Sequence, residues 1–466
     1  MAAHSIPSTA IAFNVRRRVL VLYDHHWTHV KTLADYLASF RRYSESEVCY
    51  ATSFGRCHFD LNSFDAVVIH YSVKVCYPGH LSPSFERALR KARCLKVLFI
   101  QDEYQATNAN YAAIHNLGIN LVFSVVPPPS LHQVYPPSQF PGVEFVSILT
   151  GFVPLDLAST VQPPPMHERD TRIAYRGRDL GYLFGALGRE KLVIGQRMRA
   201  ICAERGLKAD IEWEESKRIY GDDWLRFLAG ARATLGTESG ANVFDFDGSL
   251  GLAIQRELLR NPEADYEEIH ERFLRGVDGT IVMNQISPKI FEAIACRTAL
   301  VLFEGGYSGV LEPEKHFIPL KKDFSNVDDV LRRLEDTDYL EALTSRAFND
   351  IIASDQYSYR AFVQLFDDVM RRQWSTGDFP APQPGPWFPL PPCDALPGFR
   401  AAYRKTFRIP WLKRAWLALP PWLQESLRPI FSRVRWKNRW VRMPDPIRRV
   451  CQPVLTRVRW LLKQIA

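Results

Sequence analysis

Short apolar runs of six or seven residues recur along the first 150 positions, at 18–23 (RVLVLY), 66–71 (AVVIHY), 96–101 (KVLFIQ) and 120–126 (NLVFSVV). Their length and β-branched content predict buried strands. Between them, apolar side chains return at helical spacing. Val30, Leu33, Tyr36 and Leu37 mark one such face, and residues 85–92 form a basic helix. Strand and helix in alternation predict a parallel, doubly wound sheet with helices on both faces.

The stretch GFVPLDLASTVQPPPMHERD breaks the alternation with prolines and polar residues, as an interdomain linker would. A second series follows, with strands predicted at 172–175, 211–213, 233–236, 298–303 and 317–320. Helices are predicted at 190–205, 327–334, 339–353 and 359–372, with a helical insertion over 250–277. The predicted division is a first domain over 1–150, a linker over 151–171 and a second domain over 172–375. A proline-rich spacer (376–399) and a tail (400–466) complete it. The fold class expected is α/β, two Rossmann-like domains facing a cleft, with ligands at the carboxyl ends of the strands.

That rule selects the candidates for chemistry. After strands of the first domain come Asp24, His25 and His26, then Asp102, Glu103 and Tyr104. The histidines and Tyr104 are expected to contact an acceptor, and the two carboxylates to bind hydroxyls or act as a base. In the second domain Arg176, Gly177 and Arg178 follow a strand, where the glycine allows close approach and the arginines could clamp a diphosphate. Thr237-Glu238-Ser239-Gly240 follows another. The segment NQISPKIFEAIACRTALVLFEGG (284–306) reads as a helix opening at Ser287 and Pro288, with Ser287 as side-chain cap. An apolar stripe at Ile290, Phe291, Ile294 and Ala295 carries two charges, Lys289 and Glu292, near the helix start.

This segment resembles the donor site of GT-B glycosyltransferases, particularly the retaining branch with a Glu-x7-Glu signature. The later run HFIPLKKDFSNVDDVLRRLED follows the same order. The resemblance covers roughly residues 170–375 and, by topology, 1–150. It implies a nucleotide-sugar donor on the second domain, Glu292 on the ribose, Lys289 and Ser287 near the diphosphate, and retention of anomeric configuration. Asn284 stands where the first Glu of the signature is expected, Arg297 where a Gly is, and Ala299 where a Pro is. Glu238 is the expected substitute for the missing carboxylate. A sugar-nucleotide-binding module without catalysis and a nucleotide-sugar epimerase are the alternatives.

Composition narrows the partners. The eight cysteines form no Cys-x-x-Cys pair, so reduced thiols are expected, and Asp245-Phe246-Asp247 is too short a signal for a metal. No cofactor or divalent metal is expected. The formal charge of +8 is uneven. Residues 400–466 carry 17 Lys/Arg against Glu425 and Asp445, a net of +15, with six of the eleven tryptophans. The remainder carries 42 Lys/Arg against 49 acidic residues. Basic amphipathic segments rich in Trp suit an anionic membrane surface. The expectation is a cytoplasmic protein peripheral to the membrane, with a glycan or lipid-linked acceptor and no nucleic-acid partner.

Overall fold

The computed structural model describes residues 16–28 and 30–383. The tail over 400–466 and most of the proline-rich spacer lie outside the described residues. Eleven strands form two sheets. The first contains β1 (Arg18–Tyr23), β2 (Glu47–Thr52), β3 (Ala66–Ile69), β4 (Leu95–Ile100), β5 (Leu121–Ser124) and β6 (Glu144–Ser147). The second contains β7 (Thr171–Arg176), β8 (Ala209–Glu212), β9 (Ala231–Gly236), β10 (Ala299–Phe303) and β11 (Ile318–Leu320). Their orders are β2-β1-β3-β4-β5-β6 and β11-β10-β9-β7-β8, every pairing parallel. Each sheet reverses direction beside its first strand, between β1 and β3 and between β7 and β9. Crevices of this kind hold ligands.

The central strands are buried along their whole length, as parallel strands covered on both faces must be. The strands expected at 120–126 and 211–213 are Leu121–Ser124 and Ala209–Glu212. The strands β2 and β6 escaped the sequence pattern. They are the edges of their sheet, and β6 is only half-buried throughout.

The helix Tyr359–Thr376 follows the second sheet in sequence, yet Tyr359, Phe362, Val363 and Phe366 join the core of the first. Phe362 meets Phe40 and Tyr36 with ring centroids 5.8 and 4.9 Å apart, and Asp367 accepts from Ser44 Oγ at 2.7 Å. The helix expected to close the second domain therefore straps it to the first.

The two carboxyl edges face each other. Beyond β4, Gln105 bridges Asp245; beyond β5, Gln285 donates to the Val125 carbonyl; beyond β6, Thr150 donates to the Ile286 carbonyl over 2.7 Å. The loop after β9 is fixed in turn by Ser239 and Gln285, which exchange backbone bonds. Gly240 sits there at φ +107°, where an added Cβ would collide with the Met283 carbonyl.

Candidate active site

A cavity of about 250 Å³ opens at the β7/β9 crevice. Its floor is Thr234–Gly236 with Leu300 and Leu302, and its rim is cationic: Arg178, Lys191, Arg218 and Lys289. Lys191 projects from the helix Gly185–Glu204 and donates to the Glu238 carbonyl at 2.9 Å and Ser239 Oγ at 3.1 Å. Burial, with the charge of Lys289 nearby, brings its ammonium down to about 8. Burial also lowers Lys289, and Arg218 and Arg178 push in the same direction. Cations this close together and partly desolvated make a site for a polyanion.

Two of these were not singled out in the sequence. Lys191 falls mid-helix and Arg218 in an irregular stretch, and no strand end points to either. Of the residues that were, Arg176 lines the cavity but is spent on the fold. It pairs with Asp210 at 2.8 Å, donates to the Lys217 carbonyl and lies 4.3 Å above the Phe227 ring. Gly177 packs where a Cβ would meet Tyr175 at 2.8 Å, and the exposed Arg178 borders the opening.

The helix Pro288–Ala295 begins as expected, with Pro288 in its first turn, but Ser287 makes no side-chain cap bond. Ser287 is among the residues that line the cavity. Glu292 does not line that cavity. It faces a smaller interdomain pocket shared with Lys31, Asp35 and Tyr359. Between the two spaces stands Trp224, which lines both. Its indole N–H donates to Glu292 Oε2 at 2.7 Å, and the Lys289 ammonium lies 5.1 Å over its ring. Burial raises the Glu292 carboxyl, with the Trp224 bond and Lys289 acting against the rise.

Two expected catalytic carboxylates are placed differently. Glu238 is buried, its Oε1 accepting from the backbone of Gly306 (3.1 Å) and Tyr307 (2.7 Å) and its Oε2 from Asn284 Nδ2 (2.6 Å). It fixes the loop after β10 and has no free oxygen to offer a substrate. Glu103 is fully buried, accepting from Ser124 Oγ at 2.6 Å and from the Val125 backbone. Burial pushes it up to about 8. Glu103 faces the interior at the turn that follows β4, and Asp102 takes the outward place. Asp102 is half-exposed and paired with Lys74 at 2.6 Å; the Tyr104 hydroxyl donates to it at 3.1 Å, while the Tyr104 ring is buried.

The β1/β3 crevice holds the histidines. Asp24, nearly inaccessible, caps the short turn His25–Trp27 and accepts from His26 Nδ1 at 2.8 Å. His25 Nδ1 lies 2.9 Å from Thr52 Oγ1. The three side chains bring ligand-type atoms within 4.8 Å of one another, while His26 Nδ1 is bonded to Asp24 Oδ1 and His25 Nδ1 to Thr52 Oγ1. Asp245 and Asp247 accept from backbone N–H groups of Gly251 and Ser249, which anchor the helix Ser249–Arg260.

No protein-family model and no curated protein matches the sequence. Among solved structures, the chain is similar to an alpha-glucosyltransferase in complex with UDP and a 13-mer DNA. The identity is 10%, the TM-score 0.46, and the match covers 76% of this chain and 99% of that one. It is also similar to HepE of Anabaena in complex with UDP and glucose, at 11% identity and a TM-score of 0.43, over 77% and 100% of the two chains. Similarity of this degree leaves the reading of the site to its geometry. Two doubly wound parallel sheets with carboxyl edges facing across a cleft are the GT-B architecture.

Proposed function

We propose that the protein transfers a glycosyl group from a nucleotide-sugar to a hydroxyl acceptor across this cleft. The observation that carries the reading is the cluster of Arg178, Lys191, Arg218 and Lys289 around one cavity at the β7/β9 crevice, beside the start of the Pro288–Ala295 helix. A leaving nucleoside diphosphate gains negative charge as the glycosidic bond breaks, and preorganised cations and a helix N-terminus stabilise it without a metal. Glu292, on the far side of Trp224, is placed to accept from the vicinal hydroxyls of a ribose that spans the two spaces. Retention of configuration comes only with the resemblance, and no residue of the cavity requires it.

Incubating the full chain with UDP-glucose, UDP-galactose, UDP-N-acetylglucosamine and GDP-mannose tests the reading. Release of nucleotide from one of them supports transfer. Binding without turnover supports a sugar-nucleotide-binding module, a new sugar isomer supports epimerisation, and no binding at all removes the donor site.

The acceptor we favour is a glycan or lipid-linked saccharide at the cytoplasmic membrane face. The composition of residues 400–466 supports this: net +15 with six tryptophans beside a mildly acidic body. No helix among the described residues is long and apolar enough to cross a membrane. Sedimentation with phosphatidylglycerol vesicles, with and without residues 400–466, reads the contribution of the tail.

A further inference from the structure

We propose that the smaller interdomain pocket is the nucleobase subsite of the donor, that it takes a single-ring pyrimidine base, and that Lys31 and Asp35 of the first domain read the edge of that base. The inference rests on the donor reading above and adds to it a contact that the second domain does not supply.

The order of atoms in a nucleotide sets the direction. In that reading the cationic rim takes the diphosphate, and Glu292, on the far side of Trp224, takes the ribose hydroxyls. Diphosphate, ribose and base follow one another along the ligand. The base therefore comes to lie past Glu292, on the side away from the cations, and the space on that side is the smaller pocket. Phe152, Leu157, Leu225 and Phe291 form apolar walls there. Walls of this kind suit the two faces of a flat heteroaromatic ring and leave recognition to whatever meets its edge.

The polar edge comes from the first domain. Lys31 opens the helix Lys31–Tyr43 and Asp35 stands one turn further on, both lining the pocket. Lys31 Nζ donates to Asp35 Oδ2 at 2.8 Å. That bond uses one of the three ammonium hydrogens, and Asp35 Oδ1 has no partner among the described residues. The side chains are 56% and 27% exposed, so a ligand can reach them. A donor is thus held beside an acceptor. This is the complement of a carbonyl next to a ring N–H, the pattern that uracil carries at O4 and N3.

Size sets the class of base. The pocket measures about 80 Å³, against roughly 150 Å³ for a cavity that receives benzene. One six-membered ring fills it, with the outer edge of the ring still at the opening. A fused purine would have to displace Phe152 or Phe291. Phe291 is buried, and Phe152 stacks on Phe362 with centroids 4.4 Å apart, so both are fixed in place. Because Lys31 and Asp35 belong to the first domain, a pyrimidine nucleotide bridges the two domains. Pyrophosphate, which lacks ribose and base, touches the second alone.

Titration calorimetry on the full chain with UDP, GDP and inorganic pyrophosphate tests the assignment. UDP should bind at least about tenfold more tightly than GDP. Lys31→Ala and Asp35→Ala should each weaken UDP by about ten- to hundredfold and leave pyrophosphate within about twofold of the parent. Hydrogen exchange adds a readout that needs no substitution: UDP should protect the helix Lys31–Tyr43, and pyrophosphate should not. GDP binding as tight as UDP overturns the proposal. So do variants that keep UDP affinity within about twofold, and so do equal losses for UDP and pyrophosphate, which trace the effect to long-range charge. Pyrophosphate bound as tightly as UDP also overturns it but leaves the cationic site standing, whereas a chain that binds neither removes the donor reading itself.

Discussion

Asn284 donates its amide to Glu238 across 2.6 Å, so the residue that breaks the expected signature is bonded to the residue expected to replace it. The pair is mutually satisfied: Asn242 Nδ2 donates to Asn284 Oδ1 at 2.9 Å, and Glu238 also receives Gly306 and Tyr307. An acid at 284 would set two carboxylates in contact inside the protein. The amide is the compatible choice.

Asn284→Asp should therefore destabilise the fold, by about 2–4 kcal/mol at pH 8 through an unpaired buried charge, and by less at pH 5 where one carboxyl can protonate. Asn284→Ala should cost about 1–3 kcal/mol for the bond that Glu238 loses. Urea unfolding at the two pH values measures both. An Asp variant as stable as the parent at pH 8 would show that the loop reorganises at no cost.

Lys191 should govern donor affinity and its pH dependence. Its ammonium is lowered to about 8 by burial and by Lys289. A bound diphosphate restores the charged form, so UDP affinity should be flat below pH 8 and fall above it, by up to about tenfold per unit. Binding at pH 8 should take up a fraction of a proton, seen as a dependence of calorimetric heat on buffer. Lys191→Met should weaken UDP by about 10²-fold and abolish that uptake. Proton uptake that survives in the variant assigns it to another group.

The fold was legible because buried parallel strands announce themselves as apolar runs, and 18–23, 66–71 and 298–303 needed no context. Edge strands β2 and β6 carry polar residues on their open side and lack that signal. The site was legible only as far as the strand-end rule reaches. It found Arg178 and Lys289 on the cavity rim and the Asp24–His26 pair. It missed Lys191 and Trp224, which helices deliver to the cavity, and it could not tell Asp102 from Glu103, where a single step in the chain reverses inside and outside.

Trp224 should tune Glu292. Its indole N–H holds one oxygen of a carboxyl that burial already raises. Trp224→Phe keeps the ring and deletes the donor, so Glu292 should protonate at higher pH. A protonated Glu292 is a poorer acceptor for ribose hydroxyls. UDP affinity in the variant should fall about tenfold at pH 6, and the deficit should shrink towards pH 8. Equal losses at both pH values would mean that the indole matters for packing alone.

Glu103 should give stability an unusual slope with pH. Burial raises its folded carboxyl to about 8, above the ordinary value near 4.5. Between those limits the folded state binds a proton that the unfolded state does not, so stability is full below about pH 4.5 and declines as pH rises to about 8. The cost is the desolvation of a charge with little compensation, since Oε2 has no hydrogen-bond partner. Glu103→Gln keeps the shape and cannot ionise. Its stability from pH 5 to 8 should lack the wild-type decline attributable to this group, so the melting temperatures of the two proteins should converge or cross as pH rises. Parallel melting curves for the pair across that range would place the Glu103 charge in contact with water, contrary to its burial.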